Sequence, residues 1–293
     1  MASIKEIRSH IKSVQQTLKI TNAMYLISSS NLRRAKRQLD DVYPYFSKIF
    51  STISDILHHS TKLDHEFFDQ RPEIPARQRK IGYIVVTGDK GLAGAYNHNV
   101  LKLVEEKMQL TDKPHLFVVG IVGHIYFQEH RIAIDEFASY TAQNPTMHRA
   151  RMISDDMVRR FRERELDEVH IIYTEMKSAL QLEVQERKLL PLAREDFPWK
   201  EPQKDGYNRV VTYVPSVNAV LDNIVPAYVK GMIFGALVEA YCSEQCARMM
   251  AMESASNNAK DMLSDLSLTY NRARQTAITQ EITEIAGGAK NLI

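Results

Sequence analysis

The sequence predicts an α/β domain carried between two long terminal helices that pair as a coiled coil. Three observations predict it: an apolar seam over the first 56 residues that never slips register, a second long helical pattern after Ser216, and strand–helix alternation between them. The resulting division is a coiled-coil helix over 1–58, an α/β domain over 78–191, a linker over 192–215 and a second coiled-coil helix over 216–286.

The first seam runs Ile4, Ile7, Ile11, Val14, Leu18, Thr21, Tyr25, Ser28, Leu32, Ala35, Leu39, Val42, Phe46, Ile49, Ile53, Ile56. Only Thr21 and Ser28 among these sixteen positions are polar. A spacing of three, four, three, four gives a repeat of 3.5 residues, which winds helices left-handedly around a partner. At 1.5 Å per residue the segment would reach about 80 Å, so it needs a second helix beside it. Ser3 and Glu6 form an S-x-x-E capping box at its start. Pro44 falls inside the pattern and predicts a kink or local break.

The partner helix is sought at the other end. A weaker seam runs through Val217, Leu221, Ile224, Tyr228, Gly231, Gly235, Val238, Cys242, then Met249, Met252, Ala259, Leu263, Leu266, Tyr270, Ala273 and Ala277. Small residues admit a neighbouring backbone, so Gly231 and Gly235 read as contact points. Pro226 predicts another kink or break, and Gly287-Gly288 reads as the stop, because glycine takes the left-handed cap conformation cheaply. A helix buried in a globular bundle has the same periodicity, but helices average about 12 residues.

Between these segments, strands are predicted at Ile81–Val86, His115–Val122, Ile132–Phe137, Glu168–Thr174 and Leu182–Leu190. Helices are predicted at Asn99–Met108, around His124–Glu129, and from Pro145 to about Arg164 with Asn144 as N-cap. Alternation of this kind argues for a largely parallel sheet. The segment Pro191 to Tyr207, rich in proline and charge, reads as a loop or linker.

Composition sets the bounds. With 44% hydrophobic and 25% charged residues the chain is ordinary for a soluble protein. No apolar run approaches spanning length, and neither a signal peptide nor a transit peptide is expected. Cys242 and Cys246 are four apart on one helix face, a poor geometry for a disulfide, so free thiols are expected. Two thiolates without a nearby histidine do not make a zinc shell.

Residues 1–50 carry nine Lys/Arg against three acids, and residues 217–293 carry six against eight. Arg33, Arg34, Lys36 and Arg37 form a basic collar, mostly off the seam. It reads as a solvated coiled-coil face, as the contact for an acidic protein, or as a nucleic-acid surface lacking aromatic interleaving. The stretch Thr87-Gly88-Asp89-Lys90-Gly91-Leu92-Ala93-Gly94-Ala95-Tyr96-Asn97 follows a strand and precedes a helix. It has neither the P-loop nor the dinucleotide spacing, so a tight βα turn is the better reading. No triad, carboxylate pair or metal cluster is evident, and no cofactor is expected.

Several segments resemble one family. Lys5-Glu6-Ile7-Arg8, Ile20-Thr21-Asn22-Ala23-Met24 and Leu32-Arg33-Arg34-Ala35 resemble its opening signature, and the 87–97 stretch its central loop. The most specific match is Ser243-Glu244-Gln245-Cys246-Ala247-Arg248-Met249-Met250-Ala251-Met252, continued by Tyr270-Asn271-Arg272-Ala273-Arg274-Gln275-Thr276-Ala277-Ile278-Thr279-Gln280-Glu281-Ile282-Thr283-Glu284-Ile285. The family is the gamma subunit of F-type ATP synthases, in its bacterial form.

The resemblance implies an antiparallel coiled coil and a Rossmann-like α/β middle domain. It implies a non-catalytic rotor shaft inside a hexamer of three alpha and three beta subunits, with the epsilon subunit and the membrane c-ring at its base. No nucleic acid and no transmembrane segment are implied, and the place is the cytoplasmic face of a bacterial membrane. Met24, Arg33, Arg34, Lys36 and Arg37 would face acidic lever loops of the beta subunits. Arg274, Gln275 and Thr276 would form a polar catch, and Ile278 to Ile285 would turn in an apolar sleeve. Asn22 in place of a lysine, Ser28-Ser29 in place of small apolar residues and Ala93 in place of a cysteine depart from the family. The redox segment of the chloroplast form is absent, so no thiol switch is expected. The alternative reading is a coiled-coil adaptor or nucleic-acid-binding scaffold.

Overall fold

A computed structural model describes residues 3–60, 63–139, 142–178, 181–198 and 213–290, so most of the expected linker lies outside the described residues. The chain divides into two compact units, Met1–Ser29 with Arg248–Ile293, and Ser30–Ala247. Two helices contribute to both: α1 (Ile4–His59) and α5 (Val217–Lys290).

The larger unit holds a five-stranded sheet. In chain order its elements are β1 (Lys80–Val86), α2 (Tyr96–Met108), β2 (Lys113–Val119), α3 (Ile121–Glu129), β3 (Glu136–Ala138), α4 (Met147–Arg162), β4 (Glu168–Met176) and β5 (Leu182–Leu190). The strand order is β3-β2-β1-β4-β5. β1, β2, β3 and β4 run parallel and β5 joins β4 antiparallel. Alternation of side chains across the pleat gives the sheet two apolar faces. One face offers Ile81, Tyr83, Val85, Leu116, Val118 and Ile172 to Val100, Leu101 and Val104 of α2 and Phe127 of α3. The other offers Ile84, Val86, Phe117, Val119, Ile171 and Tyr173 to a core shared with α4, Ile53 and Ile56 of α1, and α5 from Leu221 to Cys242.

Within this unit α1 and α5 pair antiparallel. Phe46 meets Phe234 with ring centroids 6.5 Å apart, and Phe50, one turn on, meets Tyr228 at 6.4 Å. Moving forward on α1 therefore moves backward on α5. A Cβ at Gly231 would lie 2.1 Å from Phe46 Cδ1, so this glycine is a contact point. Gly235 is not: nothing lies within 4 Å of its Cβ position.

The smaller unit packs the start of α1 on the end of α5. Ile4, Ile7, Ile11, Val14, Leu18, Thr21, Tyr25 and Ser28 are each buried or half-buried, as are Met252, Ser256, Ala259, Leu263, Leu266, Tyr270, Ala273 and Ala277. The α5 positions repeat with four-three spacing, as a coiled-coil seam requires. The expected capping box forms: Ser3 N donates to Glu6 Oε2 at 2.8 Å and Glu6 N to Ser3 Oγ at 3.2 Å.

Several expectations are corrected. Of the kink or break expected at Pro44 and Pro226, the break does not occur: each proline lies inside a continuous helix. A proline removes one hydrogen bond from a ladder that otherwise continues, and packing on both sides holds the helix together. Gly287 and Gly288 lie inside α5, which runs to Lys290 rather than stopping at 286. Strand β2 ends at Val119, because Gly120 at φ +100° turns the chain, and Ile121 and Val122 open α3. The third strand is only Glu136–Ala138; Ile132 and Ile134 pack on the core from outside the sheet. Thr146, not Asn144, caps α4, accepting from Arg149 N at 3.3 Å, and Pro145 precedes the helix. The longest apolar stretch of α5 also exceeds the sequence expectation: an 18-residue window has mean hydropathy 1.3, long and apolar enough to span a membrane. Of that window 56% is buried inside the protein, so interior packing accounts for its composition.

Candidate functional site

The residues singled out from the sequence separate into a docked loop, an exposed collar and an exposed helix end. The glycine-rich stretch 87–97 is the loop, the βα turn between β1 and α2. Its polar side chains are consumed by the fold. Thr87 Oγ1 donates to Val119 O at 3.0 Å and accepts from Gly123 N at 3.0 Å. Asp89, 8% exposed, accepts from Ile121 N at 3.0 Å and from Gln143 N at 3.1 Å. Asn97 Oδ1 accepts from Gly88 N at 2.8 Å. The amides at the start of α3 are where a phosphate would bind, and the loop's own carboxylate and hydroxyl occupy them. Gly120 makes this closure possible, since its Cβ would lie 2.2 Å from Thr87 O.

The same loop is seated on α5. Tyr96 OH donates to Ala240 O at 3.0 Å, and Ala93 and Tyr96 cluster with Ala247. A Cβ at Gly88 would come within 3.0 Å of Glu244. On the far side of the contact, Ser243 Oγ donates to Thr174 O at 2.9 Å. Ser243, Glu244, Gln245 and Cys246 are all buried. Two motifs some 150 residues apart in sequence therefore form one joint between sheet and helix. Sequence reasoning missed this joint. Its one signal was polar Ser-Glu-Gln on an otherwise apolar helix, which needs a polar partner when buried.

The basic collar lies on α1: Arg33, Arg34, Lys36 and Arg37 are all exposed, while Leu32 and Ala35 between them are turned inward. Met24, in the smaller unit, is half-buried. Arg274, Gln275 and Thr276 on α5 are exposed, and Thr276 Oγ1 bonds back to Arg272 O at 3.0 Å. Arg272, Gln275, Thr276, Thr279, Gln280 and Thr283 line one shallow open groove along the helix. Ile278, Ile282 and Ile285 beyond them are 46%, 61% and 73% exposed. These three large aliphatic side chains, at helical spacing near one helix end, are left exposed in the isolated chain.

The two polar seam positions differ in their surroundings. Thr21 Oγ1 and Ser256 Oγ are 2.7 Å apart and buried, a hydrogen bond across the seam. Ser28 is 1% exposed, a small side chain in the same seam. Cys242 and Cys246 are in no disulfide and are buried. Burial pushes the Cys242 thiol up to about 11 and the Cys246 thiol up as well, with Lys36 opposing the shift in both. Among the described residues no group of three His, Cys, Asp or Glu is arranged to hold a metal ion.

A family model described as "ATP synthase" matches residues 3–292. The ATP synthase gamma chain of Ruminiclostridium cellulolyticum is 45% identical, over 99% of this chain and 99% of that one. That of Acetivibrio thermocellus is 43% identical, over 100% of each. The sodium-ion-specific gamma chain of Acetobacterium woodii is 37% identical over 99% of each. Among solved structures, a chain of the Euglena gracilis mitochondrial ATP synthase OSCP/F1/c-ring assembly has a TM-score of 0.67 at 16% identity, covering 99% of this chain and 94% of that chain. A chain of the Tetrahymena thermophila central stalk and c-ring superposes with a TM-score of 0.61 at 21% identity, over 81% of this chain and 99% of that chain.

Proposed function

We propose that this chain, which belongs to the ATP synthase gamma chain family, is the central rotor shaft of an F-type ATP synthase and is itself non-catalytic. Full-length agreement with gamma chains carries the reading, at 45% identity over 99% of both partners. Its partners are three alpha and three beta subunits around the coiled coil, with the epsilon subunit and the c-ring at the α/β domain. It works peripherally on the cytoplasmic face of a bacterial membrane. Ion flow turns the ring and the shaft. An asymmetric shaft makes different contacts with each of three chemically equivalent sites. Only that difference in contact free energy shifts their conformations and nucleotide affinities.

Residue roles follow from position in the motifs shared with the family, and the exposure of the collar and of Arg274, Gln275 and Thr276 supports them. Arg33, Arg34, Lys36 and Arg37, with Met24 nearby in sequence, meet acidic lever loops of the beta subunits. Charge pairing there steers and orients the contact. Arg274, Gln275 and Thr276 hydrogen-bond loops of the beta subunits as a catch, and Ile278, Ile282 and Ile285 sit in an apolar sleeve.

The test is a mild-detergent pull-down of the tagged chain from its native membranes, read by native mass spectrometry and an ATPase assay. Three alpha and three beta chains per tagged chain, with ATPase activity, is the expected result. Recovery of the chain alone or with nucleic acid would move the function to a coiled-coil adaptor or scaffold.

A further inference from the structure

A chain of alternating charges crosses the sheet at the β5 edge, and none of its members belongs to the surfaces described above. It reads Arg79, Glu168, His170, Glu186, Lys107. Arg79 Nη1 pairs with Glu168 Oε1, and Lys107 Nζ with Glu186 Oε2. Between them His170 Nε2 lies 2.8 Å from Glu168 Oε2, while Nδ1 lies 2.8 Å from Glu186 Oε1 as an ion pair off the hydrogen-bond axis. Lys188 Nζ adds a longer contact to Glu168 at 3.7 Å. The Tyr83 ring sits beside the imidazole with centroids 5.7 Å apart.

These groups come from four places: the residue before β1, the strands β4 and β5, and the last turn of α2. The side chains of Glu168, His170 and Glu186 are 12%, 13% and 19% exposed, so water screens the chain poorly. A neutral imidazole has one N–H and one lone pair. With a carboxylate oxygen 2.8 Å from each nitrogen, a neutral ring donating its one N–H to Glu168 would leave an uncharged, lone-pair-bearing nitrogen beside the Glu186 carboxylate. Only the imidazolium is attracted to both.

We propose that His170 is a proton-operated latch, holding edge strand β5 and the end of α2 to the sheet in its protonated form and releasing them as the medium turns alkaline. Among the described residues the charged and titratable groups around the ring are Glu168 beside it on β4, Glu186 and Lys188 on β5, Lys107 on α2, Arg79 ahead of β1 and Tyr83 on β1. Tyr83, pushed up to about 12 by burial and then by Glu186 and Glu168, stays neutral throughout. Burial opposes the charge on His170, and the hydrogen bond to Glu168 with the close Glu186 carboxylate outweighs burial, so its value is raised. A raised value means that the stabilisation is full below the ordinary pH of about 6.5 and is lost as pH climbs through the folded value.

The experiment uses the full chain and two readouts. Amide hydrogen exchange is compared at pH 6 and pH 9, corrected for intrinsic rates, for peptides covering 182–190 and, as an internal control, 147–162. Protection of 182–190 relative to the control should fall about tenfold for each unit by which the folded value exceeds the ordinary one. In His170→Gln the ratio should not change with pH. NMR titration of the imidazole in the wild-type chain needs no variant to fold and should give a midpoint above 6.5. A midpoint at or below that value, or a wild-type ratio equal at pH 6 and pH 9, overturns the latch.

Discussion

Thr21 and Ser256 give a polar pair to a seam that is otherwise apolar, 2.7 Å apart and sheltered from water. Removing one hydroxyl leaves the other buried without that partner. Thr21→Val should therefore cost about 1–3 kcal/mol, and combining it with Ser256→Ala should recover much of the loss, since no orphan remains. Urea unfolding of the single and double variants measures both; a double variant as destabilised as the sum of the singles would contradict the pairing. The two thiols are the opposite case. Buried and with values pushed up, Cys242 and Cys246 present little thiolate at neutral pH. Alkylating reagents should leave the native chain unlabelled, and reduction should leave the activity of the assembled complex unchanged; a clear stimulation by a thiol would refute this. Arg274 and Gln275 are exposed on α5. Arg274→Ala with Gln275→Ala should lower coupling or assembly and leave the melting temperature of the isolated chain in place. Equal losses in both would return these residues to a structural role.

At the scale of elements, the pairing of α1 with α5 rests on close approach at one glycine and not at its neighbour one turn away. Gly231→Ala forces a methyl against the Phe46 ring. Overpacking of this kind costs about 1–3 kcal/mol, more than the ~1 kcal/mol gained in helix propensity. Gly235→Ala meets nothing and should keep the propensity gain, so the two variants should move the melting temperature in opposite directions. The 87–97 loop shows how an element's apparent motif can mislead. Its glycines suggest a ligand cradle, but Asp89 and Thr87 have filled it from within. The loop serves to join the sheet to α5 through Tyr96 and Ala93.

At the scale of the whole molecule, its dependence on acid can be assigned to particular groups. Glu168 and Glu186 are held down to about 2, against the opposing effect of burial, by His170 with Arg79 and by His170 with Lys107 respectively. Lowered values mean that their stabilisation is present above the ordinary value of about 4.5 and is lost as pH falls toward 2. The melting temperature should therefore drop between pH 5 and pH 3, and Glu186→Gln should flatten that drop. A variant with the full wild-type slope would assign acid sensitivity elsewhere.

The sequence by itself determined the elements whose cause is periodic. All sixteen α1 seam positions are buried or half-buried, because a strict 3.5-residue repeat leaves a helix one way to hide its apolar side. Strands β1, β2 and β4 were legible as short apolar runs and β5 as an alternating one, whereas the third strand, only Glu136–Ala138, was placed too early at Ile132–Phe137. The motifs shared with the family were legible as matches of sequence, and the structure adds that the collar and the Arg274–Thr276 segment are exposed. Tertiary structure decided what depends on distant partners. Thr21 was explained only in part by its neighbours, since its hydroxyl donates to Leu18 O at 3.1 Å but its partner across the seam is Ser256, 235 positions away. Gly231 and Gly235 look alike along the chain and differ only in where Phe46 lies. Pro44 and Pro226 look like breaks, and packing over many turns overrides one missing hydrogen bond each. The joint of the 87–97 loop with α5 and the charge chain at His170 are fixed by side chains far apart in sequence, and only the folded chain brings their charges and hydrogen-bonding groups within reach of one another.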